Sequence, residues 1–457
     1  MITINDRLTP ADLRPKIERM WALSAEKILS IEESVKPGDS SPVFTRNGRY
    51  TAQGWTEWTQ GFQFGSAILQ FDAIGDRRFL QIGRQNTIER MAPHVTHTGV
   101  HDHGFNNVST YGNLRRLMLE GRIERDANEL AFYEMALKAS GAVQAQRWTP
   151  IADGTGYIYS FNGPHSLFAD TIRSLRSLST AHMLGHTLMS EQDTRVSLLK
   201  RMIDHAGATA HYSVYYGEGR DVYDIRGRVA HESVFNANNG AYRCPNSQQG
   251  YSPFTTWTRG LAWVMVGFPE ELEFLATLDD AEFDDIGDRD EIIAMMVRAA
   301  QATCDFYIRH TPTDGIPYWD TGAPGLAHMG DYLDRPAEPF NDFEPVDSSA
   351  AAIACQGLIR LGTYLGDGGE KYLQAGLTVL NRLLEEPYLS TDPKHQGLAL
   401  HSVYHRPNGW DEIPAGAKVP AGESSMWGDY HLREAALLVQ RLADNTEYYT
   451  FFGPTEK

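Results

Sequence analysis

Apolar residues recur at three- and four-residue intervals along most of the chain, the spacing that places them on one face of an α-helix. The first such segment begins at Thr9 and Pro10, a good helix-capping residue followed by a proline in the first turn, and it continues to residue 34. Eleven further helical segments follow, at about 59–73, 77–92, 105–120, 126–142, 170–187, 192–212, 256–278, 289–310, 347–364, 368–386 and 427–444. The pattern therefore predicts about twelve helices.

Three long segments between these helices lack helical periodicity: 213–254, 311–346 and 393–425, the last with strand-like runs such as LALHSVYH. Loops of this length usually build binding sites. Twelve helices with long loops after alternate pairs fit six helical hairpins closed into a ring, an all-α (α/α)6 barrel. The alternative is an open helical solenoid, but the recurring consensus that a solenoid requires is absent. Since no linker divides the chain, we predict one domain over residues 1–457.

The composition excludes several classes of protein. A hydrophobic content of 42% and an aromatic content of 11% indicate a folded chain. The net charge of −18, with no run of basic residues, argues against nucleic-acid binding, and any anion site must be built from local groups. No apolar stretch approaches the roughly 18 residues of a membrane span, and the N-terminus has no signal-like segment. With only three scattered cysteines, a cytoplasmic location is expected.

Common motifs for metal, nucleotide and nucleophile sites are missing from the sequence. There is no HExxH, GxSxG, CxxC or Walker A stretch, and no GxGxxG follows a strand. Histidines surround Asp102 in the stretch 94–103, but their spacing resembles no ordinary zinc pattern. We therefore expect no metal site, and the carboxylates are the remaining candidates for chemistry.

Two aspartates stand just before predicted helices: Asp102 in HDHGF and Asp170 in SLFADTIRS. One interpretation is that both are helix N-caps. The other is catalytic, because a pair of acids on opposite sides of a barrel mouth is the usual requirement for chemistry at a sugar ring. Arg173 and Arg176 follow Asp170 within about one turn, where they would keep it ionised or meet a ligand carboxylate or sulfate.

The stretch QQGYSPFTTWTRGLAW places Arg259 and Trp263 four residues apart, on one face of a predicted helix. A sugar acid suits this pair, since its ring would stack on the indole while its carboxylate meets the guanidinium. A structural cation–π pair is the alternative.

Taken in order, WTEWTQGF, HDHGF, ADTIRS, AHES, QGYSPFTTWTRGLAW, PYWD, DSSAAAIACQGL, LHSVYHRPNGWDE and ESSMWGDYHLREA resemble the unsaturated glucuronyl hydrolases, glycoside hydrolase family 88. The sister family 105 comprises unsaturated rhamnogalacturonyl hydrolases. The match runs from about Trp55 to Glu434. The family fold is an (α/α)6 barrel, in agreement with the helix count.

The resemblance implies roles for individual residues. Asp102 would lie at the sugar ring to be cleaved, and Asp170 would be the acid/base. The implied substrate-binding residues are Trp58, His231, Gln249, Arg259, Trp263, Tyr404 and His405. The stretch TIRSLRS after Asp170 replaces a more apolar family stretch, which suggests an aglycone with an anionic group.

The implied activity is glycoside hydrolysis by hydration: Asp-catalysed addition of water across the C4=C5 bond of a terminal unsaturated uronic acid. It needs no cofactor, and its partner is a lyase-generated, unsaturated uronate-containing oligosaccharide. We expect a monomer or homodimer that binds neither nucleic acid nor membrane. One alternative is a sugar epimerase or isomerase on the same barrel, with His182, His186, His231 and His405 as candidate acid/base groups. The other is a sugar-binding protein without catalysis.

Overall fold

The structure, a computed structural model, describes residues 1–36, 38–53 and 57–453; Trp55, where the family resemblance begins, lies outside these ranges. Within them are twelve main helices. They are α1 (Arg14–Ser34), α2 (Gln60–Ile74), α3 (Arg77–Arg90), α4 (a π-helical turn, Gly104–Gly112, continued by Asn113–Leu119), α5 (Ala127–Gln146), α6 (Thr171–Ser174 and Arg176–Met183), α7 (Leu198–Ala208, continued by a π-helical turn, Thr209–Ser213), α8 (Thr258–Leu275), α9 (Arg289–His310), α10 (Ser348–Leu365), α11 (Glu370–Leu383) and α12 (Met426–Asp444). Each corresponds to one predicted segment.

The helices alternate between an inner and an outer ring. Each even-numbered helix contacts the next even-numbered one, and α12 returns to α2, so the inner ring is closed. The odd-numbered helices pack outside it, for example α3 against α2, α9 against α8 and α11 against α10. The chain therefore forms the predicted (α/α)6 barrel, and the open solenoid is wrong.

Sequence composition decides which helix lies in which ring. The inner helix α10 reads SSAAAIACQGLIRLGTYL, and its small residues are buried on every side from Ser348 to Gly362. The outer helix α11 buries only one stripe, which includes Tyr372, Val379 and Leu383. A helix that is apolar all round belongs inside a fold, whereas an amphipathic helix covers it. No helix in the described ranges is long and apolar enough to cross a membrane.

The described part of the chain also has nine short strands, which lie in the connections. They are β1 (Phe44–Arg46), β2 (Arg49–Thr51), β3 (Trp148–Pro150), β4 (Gly156–Ile158), β5 (Ser166–Phe168), β6 (Leu188–Met189), β7 (Arg195–Val196), β8 (Glu232–Phe235) and β9 (Tyr242–Asn246), paired antiparallel as β1–β2, β3–β4, β6–β7 and β5–β8–β9. The β5–β8 pairing has a consequence for the site. The backbone N–H of Ala169 donates to the carbonyl of His231 at 2.9 Å, which brings His231 beside Asp170.

Arg173 and Arg176 lie in the barrel interior, where both side chains are fully buried. Arg173 pairs with Glu270 and, at 2.9 Å, with Glu434; Arg176 lies 3.6 and 3.5 Å from the same two carboxylates. The prediction that these arginines keep Asp170 ionised or bind a ligand anion is therefore wrong, because buried glutamates already neutralise them. These two residues no longer support an anionic aglycone.

Candidate active site

The N-terminal ends of the inner helices α4, α6 and α8, together with nearby loops, surround a cavity of about 460 Å³, a size typical of small-molecule sites. Its lining comprises Trp58, His97, Gly99, Val100, His101, Asp102, Phe105, Phe161, Asp170, Gln248, Gln249, Trp257, Arg259, Trp263, Tyr404, His405 and Trp410. Eight of the nine predicted site residues are among them. The ninth, His231, is buried behind the lining, with its ring 4.7 Å from that of Trp257.

The two predicted catalytic aspartates are brought together by a histidine that was not among the predicted site residues. Nε2 of His101 lies 3.4 Å from Oδ1 of Asp170 and 3.8 Å from Oδ1 of Asp102. All three side chains are largely buried, with exposed fractions of 2%, 9% and 11%. His101 and Asp102 thus supply two of the three members of a carboxylate–imidazole–carboxylate cluster, and Asp170 supplies the third.

Neither aspartate is explained by helix capping. His103 holds the N-cap position of α4, so Asp102 stands one residue before it. Asp170 does hold the N-cap position of α6, but its side chain makes no capping hydrogen bond. By contrast, Asp347 is a true cap of α10: its carboxylate accepts the N–H groups of Ser349 and Ala350.

The surroundings shift the pKa values of the two aspartates in opposite directions. Burial raises the pKa of Asp102 above its ordinary value. Burial alone would also raise the pKa of Asp170, but His101, His231 and Arg259 outweigh it and hold that pKa below its ordinary value. Asp170 is therefore the stronger acid of the two, and burial makes Asp102 the weaker one.

His231 is held as a neutral hydrogen-bond donor. Its Nδ1 accepts the backbone N–H groups of Gln248 and Gln249 at 3.0 and 3.3 Å, so the ring proton is on Nε2. Burial lowers the pKa of this imidazole to about 4. Its Nε2 is buried and has no hydrogen-bond partner in the described part of the chain. This N–H group is therefore available as a hydrogen-bond donor beside the cavity.

Arg259 is already bonded to the protein through both terminal nitrogens. Nη1 lies 3.4 Å from Oδ2 of Asp347 and donates to the carbonyl of Val403, while Nη2 donates to Oε1 of Gln249 at 2.9 Å and to the carbonyl of Tyr404 at 2.8 Å. One guanidinium therefore ties the start of α10 to the loop before α12.

The aromatic partners of Arg259 differ from the predicted one. Its guanidinium lies over the rings of Trp257 and Trp427, at 4.6 and 4.7 Å from their centroids. Trp263 packs instead against Phe105, at 4.8 Å between ring centroids, and forms part of the cavity wall. The alternative of a structural cation–π pair between Arg259 and Trp263 is therefore wrong, because the guanidinium stacks on Trp257 and Trp427 instead.

The loop that carries Tyr404 and His405 is held by Asp411. The carboxylate of Asp411 accepts the backbone N–H groups of both residues, and burial raises its pKa to about 6. The ring of Trp410 packs on Tyr404 and His405, at 5.2 and 5.0 Å. Asp411 and Arg259 therefore bind the same short loop from opposite sides, one through its N–H groups and the other through its carbonyls.

Several lining residues were not predicted, notably His101, Phe161, Trp257 and Trp410. His101, Trp257 and Trp410 lie inside stretches that carry the family resemblance, so membership of those motifs was the available signal, whereas Phe161 lies outside them. Across the described ranges, no group of three or more His, Cys, Asp and Glu side chains is arranged to hold a metal ion.

Comparison by sequence links the chain to enzymes that act on unsaturated sugars, although no protein-family model matches it. It is 23% identical over 394 residues to an unsaturated glucuronyl hydrolase of Formosa agariphila, covering 84% of this chain and 80% of the relative. It is 23% identical over 437 residues to the unsaturated glucuronyl hydrolase of Bacillus sp. GL1, covering 92% and 97%. It is also 24% identical over 407 residues to an unsaturated chondroitin disaccharide hydrolase of Streptococcus pyogenes, covering 86% and 84%.

Solved structures share the barrel. The unsaturated glucuronyl hydrolase of Bacillus sp. GL1 superposes with a TM-score of 0.68 at 20% identity, over 96% of this chain and 99% of that one. An unsaturated glucuronyl hydrolase specific for heparin gives a TM-score of 0.70 at 18% identity, over 94% and 98%. These structures confirm the predicted fold.

Proposed function

We propose that this chain, which is similar to the unsaturated glucuronyl hydrolases of glycoside hydrolase family 88, releases the terminal 4,5-unsaturated uronic acid from lyase-generated oligosaccharides. The observation that carries this proposal is the pair of buried aspartates, Asp102 and Asp170, on either side of His101 in the barrel-mouth cavity. Bound dGlcA-Glc-Rha-Glc in a related solved structure supports the substrate class.

The proposed reaction is hydration of a vinyl ether. Asp170 gives its proton to C4, and positive charge develops at C5 and the ring oxygen. Water then adds to C5 while Asp170 accepts a proton from it, and the resulting hemiketal opens to release the aglycone and a keto-uronate. The ionised carboxylate of Asp102 stabilises the developing positive charge.

Asp170 must be protonated when it acts, although its pKa is lowered in the ligand-free site. The substrate resolves this conflict, because its own carboxylate brings a negative charge into a buried cavity. A like charge beside a carboxyl group raises the pKa of that group. Substrate binding therefore drives a proton onto the cluster, and the acid is formed only when the uronate is present.

The substrate-binding assignments are part of the same proposal. The inner-helix N-termini and Arg259 provide positive potential for the uronate carboxylate. Trp58, Trp263 and Tyr404 offer aromatic surface for the sugar ring, and Gln249 and His405 are the remaining polar groups of the predicted set on the cavity wall.

Asparagine substitutions test the two acids. Asp170→Asn keeps the shape of the side chain but removes the titrating proton, so kcat should fall by about 10²–10⁴-fold, and Asp102→Asn should also cripple turnover. Asp280→Asn is the matched control, because Asp280 is an exposed acid beyond the C-terminal end of α8.

The assay follows loss of the enol-ether absorbance of an unsaturated disaccharide together with product mass. Hydration with release of the aglycone supports the proposal, whereas an isomer of unchanged mass would identify an epimerase. Binding without any change would identify a sugar-binding protein. Near-normal turnover by Asp170→Asn would overturn the assignment of the acid.

We also propose one catalytic domain and a cytoplasmic location. A continuous hydrophobic core that includes residues from Ile2 to Phe452 supports the first. The three cysteines are all free, which suits a reducing compartment and supports the second.

A further inference from the structure

We propose that His101 stores the proton that Asp170 delivers to the substrate. This role rests on the proposed hydration reaction and adds a third residue to its acid–base machinery. The geometry points to it, because His101 Nε2 is the nitrogen that faces both carboxylates, at 3.4 Å from Asp170 and 3.8 Å from Asp102.

His101 is not engaged in the way that structural histidines of this protein are. Its neighbour His103 is fully satisfied, with Nδ1 at 3.0 Å from Oγ of Ser140 and Nε2 at 2.9 Å from the carbonyl of His97. Both ring nitrogens of His101, in contrast, are buried without a hydrogen bond to any part of the chain that the structure describes. A buried imidazole of this kind is costly unless it carries charge between the two carboxylates.

The backbone and the ring of His101 are fixed by surrounding groups. The carbonyl of His101 accepts hydrogen bonds from Nε2 of Gln144 and Oγ of Ser174, each at 2.7 Å. The ring stacks on Phe161 at 6.1 Å between centroids and meets the edge of Phe168 at 5.6 Å. The imidazole is therefore held in place, and its distance to Asp170 changes only if the aspartate or the loop moves.

The charges around His101 favour the imidazolium. Burial alone would lower its pKa, and Arg147 acts in the same direction. Asp102 and Asp170 outweigh both and raise the pKa above its ordinary value of 6.5. His205 lies close by but is neutral, because burial holds its pKa to about 3. The two carboxylates therefore make His101 hold its proton more tightly than an ordinary histidine does.

The proton balance closes over one turnover. When the anionic uronate enters, the Nε2 proton of His101 moves to Oδ1 of Asp170, which leaves a neutral imidazole. Asp170 gives that proton to C4, and water, on adding to C5, returns one proton to Asp170. When the product leaves, this proton goes back to Nε2 of His101. One water molecule is consumed and the protein is unchanged.

A titration of the wild-type enzyme tests the proton store without relying on activity. Histidines labelled with ¹⁵N are followed by NMR against pH, and His101→Gln identifies the signal of His101. Its imidazole should titrate above pH 6.5 in the wild type and at lower pH in Asp170→Asn, which lacks one counter-charge. A His101 pKa below 6.5 in the wild type, or one that Asp170→Asn leaves unchanged, would overturn the proposal.

The pH profile of kcat/KM supplies the second test. In the wild type its alkaline limb should follow loss of the His101 proton; in His101→Gln it should follow loss of the Asp170 proton and move to lower pH by at least about one pH unit. If the alkaline limb of His101→Gln lies about one pH unit below that of the wild type, its kcat/KM is about tenfold lower than the wild-type value at every pH above both limbs. His103→Gln is the matched control, since it removes a buried neighbour and its hydrogen bonds but should leave the limb where it is.

Failure of the proposed function and failure of the proposed role of His101 give different results. If the wild type does not hydrate any unsaturated disaccharide, the proposed function is wrong. If the wild type is active and the limb of His101→Gln coincides with that of the wild type, only the proton store is wrong, and His101 merely maintains the shape of the loop.

Discussion

Replacing Arg259 with alanine should weaken the fold as well as substrate binding, because the protein already uses this guanidinium. Arg259 and Asp347 form an ion pair whose side chains are 1% and 0% exposed. The same guanidinium donates to the carbonyls of Val403 and Tyr404, at the cavity wall. A residue that only clamped the uronate would leave the free energy of unfolding unchanged on removal.

The size of the effect follows from burial. Removing one partner of a buried ion pair costs about 3–5 kcal/mol, since the other charge is left without compensation. Asp347 keeps its capping bonds to the start of α10, so we expect the lower end of this range. If Arg259 also meets the uronate, the loss of one desolvated charge-assisted contact, about 1.5–3 kcal/mol, raises KM about tenfold to a hundredfold.

A double-mutant cycle separates the two roles. The variants are Arg259→Ala, Asp347→Asn and the double variant, each measured by urea unfolding and by KM for an unsaturated disaccharide. The double variant should recover part of the lost stability, because no unpaired charge remains, with a coupling energy of about 0.5–3 kcal/mol. It should not recover KM. Wild-type stability in Arg259→Ala, or strictly additive losses in the double variant, would refute the anchoring role.

Two further changes test how the site is held together. Gly104→Ala should lower stability by about 1–3 kcal/mol or more and reduce kcat, because its Cβ would overlap the carbonyl oxygen of Ser174; an unchanged melting temperature would contradict this close approach. Asp411, whose pKa is raised to about 6 from 3.8, stabilises the fold most below pH 3.8 and loses that contribution as pH rises through about 6. Asp411→Asn does not titrate, so its melting temperature relative to the wild type should rise between about pH 4 and pH 6 and then level off; a difference independent of pH would contradict the burial argument.

The helices and their order were predictable because periodicity is a local property. A run of small apolar residues such as that in α10 indicates an inner helix, and twelve helical segments in sequence fit a closed ring of six hairpins. The π-helical turn Gly104–Gly112 at the start of α4 was not predicted. It depends on packing against α6, where Gly104 donates its N–H to Oγ of Ser174, and no local pattern reports that contact.

The site was predictable only in part, because its residues come from distant parts of the chain. Motif order identified the two aspartates and most of the cavity lining. It did not reveal that Arg173 is neutralised by Glu434, 261 residues away, or that Arg259 binds the carbonyl of Val403, 144 residues away. His101 stood next to a predicted catalytic residue, yet the role proposed for it depends on its contact with Asp170, 69 residues later in the chain. Closeness in sequence suggested that Arg173 and Arg176 pair with Asp170, but in the folded barrel they pair with Glu270 and Glu434.

Under the proposed function, an acidic protein that binds an acidic sugar must create its positive potential locally. The net charge of −18 repels a uronate at long range, but beyond about 8–10 Å salt screens that repulsion. Around the cavity, the N-terminal ends of α4, α6 and α8, the Arg259 guanidinium and the buried His101 imidazole act over short distances. Arg259 and His101 lower the pKa of Asp170. Under the proposed mechanism the substrate carboxylate offsets them, so that binding of the anion and protonation of the acid are one coupled event.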